Sequence, residues 1–371
     1  MRIGILTLPL HTNYGGILQA YALQTTLEKL GHSVTIFDTP KHKKKLTLIN
    51  KVKKYPKRII KKLIKGSYIK IDEEKYYNKT YPIISQYTQK FINSYIHRTE
   101  IANLCSLNKK DFDAIIVGSD QIWRPIYYKP IENAFLKFTQ EWEIKRIAYA
   151  ASFGADQWEY NENQTKECSY LLKKFTAVSL REEKGLEFTT KYLKTKGDVV
   201  LDPTMLLKAQ DYIDLFINAD TPESKGNLLC YFLDETPLKN NLANKISQTK
   251  NLKLFKVNSK VEDIKAALNM RIQPPVEQWI RGFYDAEFVI TDSFHACVFS
   301  IIFNKPFIVV ANEKRGISRF TTLLSHFGLQ NHLYTTNQTF NIESDFKLPT
   351  DLNDKLDYLR NKSLYFLTKN L

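Results

Sequence analysis

The chain has 371 residues, 43% of them hydrophobic and 13% aromatic, enough apolar surface for two ordinary domains and too much for a disordered polypeptide. Its formal net charge of +15 invites a nucleic-acid reading, yet residues 41–70 hold thirteen of the 54 Lys and Arg and none of the 39 Asp and Glu. The excess therefore belongs to one tract, the remainder is near neutral, and nucleic acid is not the expected partner.

Met1 leads directly into Arg2-Ile3-Gly4-Ile5-Leu6 without a signal-peptide pattern, and no apolar run approaches the roughly 18 residues of a membrane span. A cytoplasmic protein is expected. A strand over Ile3–Leu8 is followed by the polar turn His11-Thr12-Asn13-Tyr14-Gly15-Gly16. Next comes an amphipathic helix with Ile17, Ala20, Leu23, Leu27 and Leu30 on one face, which Gly31 is placed to end. A second strand, Val34–Phe37, closes at Asp38. That residue suits either a strand-end cap or a ribose contact, although the turn lacks the GxGxxG of a dinucleotide site. The basic tract follows. Its Ile49, Val52, Ile59, Ile60, Leu63 and Ile64 recur at helical spacing, which predicts one or two short amphipathic helices interrupted at Pro56.

Short β-rich runs then alternate with longer segments: Phe112–Val117, Arg146–Ala151, Ala177–Leu180 and Val199–Leu201. A second set consists of Leu228–Leu233, Lys253–Val257, Phe288–Thr291 and Phe307–Val310. Such runs read as buried strands of parallel sheets, so the expected fold class is α/β with two doubly wound domains. The expected division is residues 1–205, 206–350 and a terminal helix within 351–371 that packs back on the first domain. Cys105, Cys168, Cys230 and Cys297 never reach CxxC spacing, so they read as buried apolar residues, and no metal site is expected. Cys297, two residues beyond His295, also has a nucleophilic reading.

In open α/β sheets ligands bind beyond the carboxyl ends of strands, so the polar residues there are the site candidates. Asn13, Tyr14, Gly15 and Gly16 occupy the first such turn, as acceptor or cleft-lining residues. Asp120, Gln121 and Trp123 follow the third strand; Asp120 suits chemistry or an N-cap, and Trp123 suits a sugar platform or the core. Arg181 leaves the strand ending at Leu180, where its planar fork matches an anion, unless Glu182 or Glu183 pairs with it. Ser293 and His295 open an apolar helix after Thr291, where an imidazole proton is usable. Lys314, Arg315 and Arg319 cluster beyond the next strand, as a phosphate clamp or a solvated helix start.

Together these stretches resemble the polysaccharide pyruvyl transferase family. The matching pieces are Asn13-Tyr14-Gly15-Gly16 with Leu18-Gln19-Ala20-Tyr21-Ala22-Leu23, Gly118-Ser119-Asp120-Gln121-Ile122-Trp123, Ser179-Leu180-Arg181-Glu182, Leu201-Asp202-Pro203-Thr204 and Thr291-Asp292-Ser293-Phe294-His295. The resemblance implies two Rossmann-like halves facing a cleft, similar to GT-B glycosyltransferases, with phosphoenolpyruvate as donor substrate and no cofactor. It implies that His295 and Arg181 line the donor site, that His295 and Asp120 carry proton transfers, and that a glycan or lipid-linked oligosaccharide is the acceptor. Some members carry Arg where this chain has Ser293, so with the same donor its phosphate must find another cation, for which Lys314, Arg315 and Arg319 are the candidates. The basic tract 41–70 fits peripheral contact with an anionic inner membrane face. The alternatives are a sugar-nucleotide-dependent GT-B glycosyltransferase and a family member that binds glycan without catalysis.

Overall fold

The computed structural model describes residues 1–40, 43, 46–65, 70–310, 316–334 and 346–371. In the first half the elements run β1 (Arg2–Leu6), α1 (Tyr14–Lys29), β2 (Ser33–Asp38), α2 (Leu48–Lys65), α3 (Glu73–Ile84), α4 (Gln86–Tyr95), β3 (Arg98–Glu100), β4 (Ala114–Val117), β5 (Lys145–Ala151), α5 (Glu162–Leu172), β6 (Ala177–Leu180), α6 (Glu183–Lys191) and β7 (Asp198–Val199). The second half runs α7 (Ala209–Asn218), β8 (Leu228–Tyr231), α8 (Pro237–Lys250), β9 (Leu254–Phe255), α9 (Val276–Asp285), β10 (Phe288–Thr291), α10 (Phe294–Ile302), β11 (Phe307–Val310), α11 (Ser318–Phe327), β12 (Leu333–Tyr334) and α12 (Leu352–Asn370).

Both sheets are parallel throughout, with strand orders β3-β2-β1-β4-β5-β6-β7 and β12-β11-β10-β8-β9. The runs Ala114–Val117, Phe288–Thr291 and Phe307–Val310 are buried at every position, as strands covered by helices on both faces must be. Burying each such Val, Ile or Phe contributes roughly 1.5–3 kcal/mol. The fold is thus α/β, two Rossmann-like domains. The order of connection reverses between β1 and β4 in the first sheet and between β8 and β10 in the second, and each reversal opens a crevice at the strands' carboxyl ends.

A continuous apolar core joins the halves, with Tyr14 of α1 stacked on Trp279 of α9 across the boundary. Helix α12 lies against the first half: Ser363 Oγ accepts from Leu201 N at 3.0 Å, and Arg360 Nε donates to Met205 O at 2.8 Å. Gly31, at φ +85°, ends α1 in the left-handed conformation that glycine adopts without strain. Two expectations need correction. Pro56 does not divide the basic tract: α2 runs through it as one helix, and the carbonyl that proline leaves unpaired lies on an exposed helix, where water can satisfy it. Cys105 is exposed, whereas the other three cysteines are buried.

Candidate active site

Helix α1 carries a buried glutamine that sets the first crevice. Gln19 Nε2 donates to Thr7 Oγ1 (2.8 Å), just beyond β1, and to Gly16 O (3.0 Å). Its Oε1 accepts from Ser119 N (2.9 Å), just beyond β4. One amide therefore fixes both loops of the crevice. Asp120 follows in the left-handed region at φ +56°, with its carbonyl accepting from Ile122 N and Ser152 N. Holding a residue other than glycine there costs roughly 1–3 kcal/mol, an expense more common at functional sites than elsewhere.

Arg181, at the end of β6, points its guanidinium into this crevice. Nη2 donates to Asp120 Oδ1 at 3.1 Å and Nη1 to Asp202 Oδ2 at 2.8 Å, and all three side chains are buried. Asp202 sits at the turn after β7, where its Oδ1 accepts from Thr204 N (3.0 Å) and Thr204 Oγ1 (2.7 Å). From the second half, His295 in the first turn of α10 brings Nε2 to 3.6 Å from the same Asp202 Oδ2. Asp202 is thus the point where the Arg181 guanidinium and the imidazole meet across the domain boundary. Burial opposes charge on Asp202, but His295 and Arg181 outweigh it and hold its carboxyl well below the ordinary range. Asp120 is likewise held low against burial, by Arg181, His295 and Arg319.

Arg181 Nε and His295 Nε2 are buried without a hydrogen-bond partner among the described residues. Buried donor-capable atoms in that condition call for a partner that the protein itself does not supply, a ligand or water. The other ring nitrogen of His295 faces the backbone of Gly15: a Cβ on Gly15 would lie 2.0 Å from Nδ1. Phe294 presents its ring to Arg181, 4.4 Å from the guanidinium carbon, and to Arg319 at 5.8 Å. Arg319, buried in the first turn of α11, has its guanidinium lowered to about 10 by burial and by Arg181. Ser293 caps α10 without a side-chain capping bond, its own N bonded to Thr291 Oγ1 at 2.9 Å.

The site therefore unites Asp120, Arg181, Ser293, His295, Gly15 and Arg319. Trp123 lies elsewhere: it is fully buried, stacked on Phe135 at 4.7 Å with Nε1 on Ala134 O, and so belongs to the core rather than to a sugar platform. Tyr14 is also buried, its hydroxyl donating to Pro274 O at 2.7 Å as an interdomain strut. Asn13 is exposed and Gly16 half-buried at the start of α1, and Gln121 lies against Gly154 and Arg124. Lys314 and Arg315 lie outside the described residues. Glu182 does not pair with Arg181; its Oε1 accepts from Ser152 Oγ, Phe153 N and Gly154 N, and burial raises its carboxyl. Cys297 is buried with its thiol pushed far up by burial, the opposite of an activated nucleophile. Asp38 is a structural cap, accepting from Leu10 N, Thr39 N and Arg98.

Sequence reasoning assigned no role to Asp202 or Gln19, although both stand in the matching stretches. An Asp beyond a strand, before Pro203, and a polar residue on the inner face of α1 were the available signals. The halves also close over the site at its rim, where Asp156 of the first half accepts from Ile317 N (3.1 Å) and Ser318 N (3.2 Å) at the start of α11. Among the described residues no group of three or more His, Cys, Asp or Glu is arranged to hold a metal ion. Two open hollows of about 450 and 590 Å³ lie away from this cluster, both against α12.

The family model for polysaccharide pyruvyl transferase matches residues 13–314. No curated protein sequence matches the chain. Among solved structures, the UDP-GlcNAc 2-epimerase from Neisseria meningitidis bound to UDP-GlcNAc is similar at 10% identity and a TM-score of 0.51, covering 100% of this chain and 99% of that one. Arabidopsis thaliana UGT89C1 complexed with quercetin is similar at 11% identity and a TM-score of 0.46, covering 99% and 97%. Likeness at this identity is one of fold.

Proposed function

The chain belongs to the polysaccharide pyruvyl transferase family, and we propose that it moves pyruvate from phosphoenolpyruvate onto two hydroxyls of a glycan sugar. The product is a cyclic ketal, phosphate is released, and the setting is surface polysaccharide biosynthesis at the cytoplasmic face of a membrane. The observation that carries this reading is the buried meeting of Arg181 and His295 at Asp202, with Asp120 on the other side of the guanidinium.

The chemistry follows from those groups. His295 donates a proton to the methylene carbon of the enol ester, which makes C2 electrophilic. An acceptor hydroxyl adds to C2 and gives its proton to Asp120; phosphate then leaves, and a second hydroxyl closes the ketal. Of the two protons released by the sugar, one restores His295 and the other departs with phosphate, so donor and diol become ketal and hydrogen phosphate in balance. Arg181, through its open Nε, and Arg319 stabilise the charge that develops on the leaving group. The two aspartates already neutralise much of that positive charge. Lys314 and Arg315 are accordingly proposed to meet the donor phosphate, in the role that Ser293 cannot fill. Because Gly15 covers the His295 ring, the halves must part to admit substrate.

The test is phosphate release from phosphoenolpyruvate with a panel of aryl and lipid-linked galactosides, glucosides and mannosides. Acceptor-dependent release by the wild type and its loss in His295→Ala are expected. No release with any acceptor, together with no thermal stabilisation by phosphoenolpyruvate, would overturn the reading.

A further inference from the structure

Helix α2 is built inside out. At about 100° per residue, its Leu, Ile, Val and Tyr residues fall on one half of the helix and all but one of its cations on the other. An amphipathic helix of a globular protein turns the apolar half inward. Here that half faces outward, with Leu48 81%, Leu63 81%, Ile64 76%, Val52 74% and Ile49 70% exposed.

The attachment to the rest of the protein comes from the cationic half. Arg58 clamps the buried Glu74 with both amino groups, Nη1 to Oε2 at 2.8 Å and Nη2 to Oε1 at 2.9 Å. It reaches Ile71 O at 3.0 Å and Glu73 Oε2 at 3.2 Å as well. Arg58 holds the Glu74 carboxyl down to about 2, so the clamp is ionic at any physiological pH.

We propose that α2 is an in-plane anchor seated at the surface of an anionic lipid bilayer, its apolar half among the upper acyl chains and its lysines among the lipid phosphates. The helix carries eight Lys or Arg and no acid, and an anionic bilayer is the one surface that satisfies both halves at once. A second copy of α2 would cover the apolar half but bring like charges together. A nucleic acid would pair with the lysines and leave the apolar half in water. Among the described residues no helix is long and apolar enough to cross a membrane, so α2 lies on the surface rather than spanning it. In the chain α2 follows β2, whose carboxyl end lies on the same sheet edge as the ends of β1 and β4, the edge that carries the Asp120 crevice. That placement suits an acceptor carried on lipid; the anchoring itself does not depend on the transfer reaction and is measured without it.

The experiment is co-sedimentation of the full chain with vesicles of phosphatidylcholine alone and of phosphatidylcholine mixed with phosphatidylglycerol. Binding to the mixed vesicles only, weakened by salt, is expected. It should fall about ten-fold or more in the double variant Leu63→Ser, Ile64→Ser and in the double variant Lys57→Glu, Lys61→Glu. Circular dichroism on both variants shows whether they remain folded. In a third variant, Leu63→Trp, emission should shift to the blue on adding mixed vesicles, relative to the parent protein. Absence of vesicle binding, equal binding by all variants, or a dimer that the Leu63→Ser, Ile64→Ser pair dissolves would each overturn the anchor.

Discussion

Gly15 and His295 touch across the domain boundary so closely that a methyl group on Gly15 would sit 2.0 Å from Nδ1 of the imidazole. Gly15 lies at the start of α1 and His295 at the start of α10, so each half closes the other's site. Gly15→Ala must push the ring away from Asp202 or hold the halves apart, a strain of about 1–3 kcal/mol. The expected outcome is a loss of turnover of about ten- to a hundred-fold with a smaller change in melting temperature. Steady-state phosphate release and calorimetry on the same preparation check it; unchanged turnover would mean that the ring relaxes freely.

Asp202 is the shared partner of Arg181 and His295, so its replacement should damage stability and chemistry together. In Asp202→Ala the buried guanidinium keeps Asp120 alone, and breaking a buried pair costs about 3–5 kcal/mol. Asp202→Asn retains one acceptor oxygen, enough for Thr204 or for Arg181 but not for both, and loses the charge facing His295. It should melt closer to the wild type while still losing about 10²-fold or more in kcat, within the span of acid–base contributions. The two variants separate folding from positioning, because a purely structural role would move both measurements in parallel.

Trp123 tests a different point. Its ring is stacked on Phe135 and its indole nitrogen bonded to Ala134 O, so Trp123→Ala should cost about 3–5 kcal/mol in stability, as large core truncations do. Trp123→Phe should recover much of that with the KM for acceptor unchanged. A raised KM at constant stability would instead return Trp123 to the sugar site.

Much of the architecture was legible because buried parallel strands write themselves as apolar runs: Ala177–Leu180, Phe288–Thr291 and Phe307–Val310 were read with the bounds the structure has. The edge strands β3, Arg98–Glu100, and β12, Leu333–Tyr334, were not: β3 is a largely exposed Arg-Thr-Glu and β12 has only two half-buried residues, so neither writes an apolar run. At the site, position after a strand end pointed to Asp120, Arg181 and His295 but could not say which carboxylate the arginine takes. Glu182 and Glu183 were the carboxylates the sequence offered as alternatives to an anion, whereas the sheet order brings Asp202 to Arg181 from the turn after the next strand. Trp123 shows the converse. It stands three residues from a site aspartate, but the intervening left-handed turn sends its ring down into the core.

Stability against pH follows from the same carboxylates. Asp120 and Asp202 are held below the ordinary carboxylate range in the folded protein, against about 3.9 for an unfolded aspartate. A depressed folded pKa supplies stability that is fully present above the unfolded value and is lost as pH falls toward the folded one. Glu182 works in the other direction. Burial raises its carboxyl, so it disfavours the fold at neutral pH and is relieved as pH drops through its folded value toward about 4.3. Thermal unfolding across the acid range should therefore show wild-type stability falling steeply below about pH 4, where the aspartates must take up protons. Asp202→Asn should be flatter there, having one such group fewer. Glu182→Gln should lose any gain on the mildly acid side, because nothing remains at that position to protonate. Parallel curves for all three proteins would mean that these buried groups do not titrate with folding, and that the cluster persists into the acid-unfolded state.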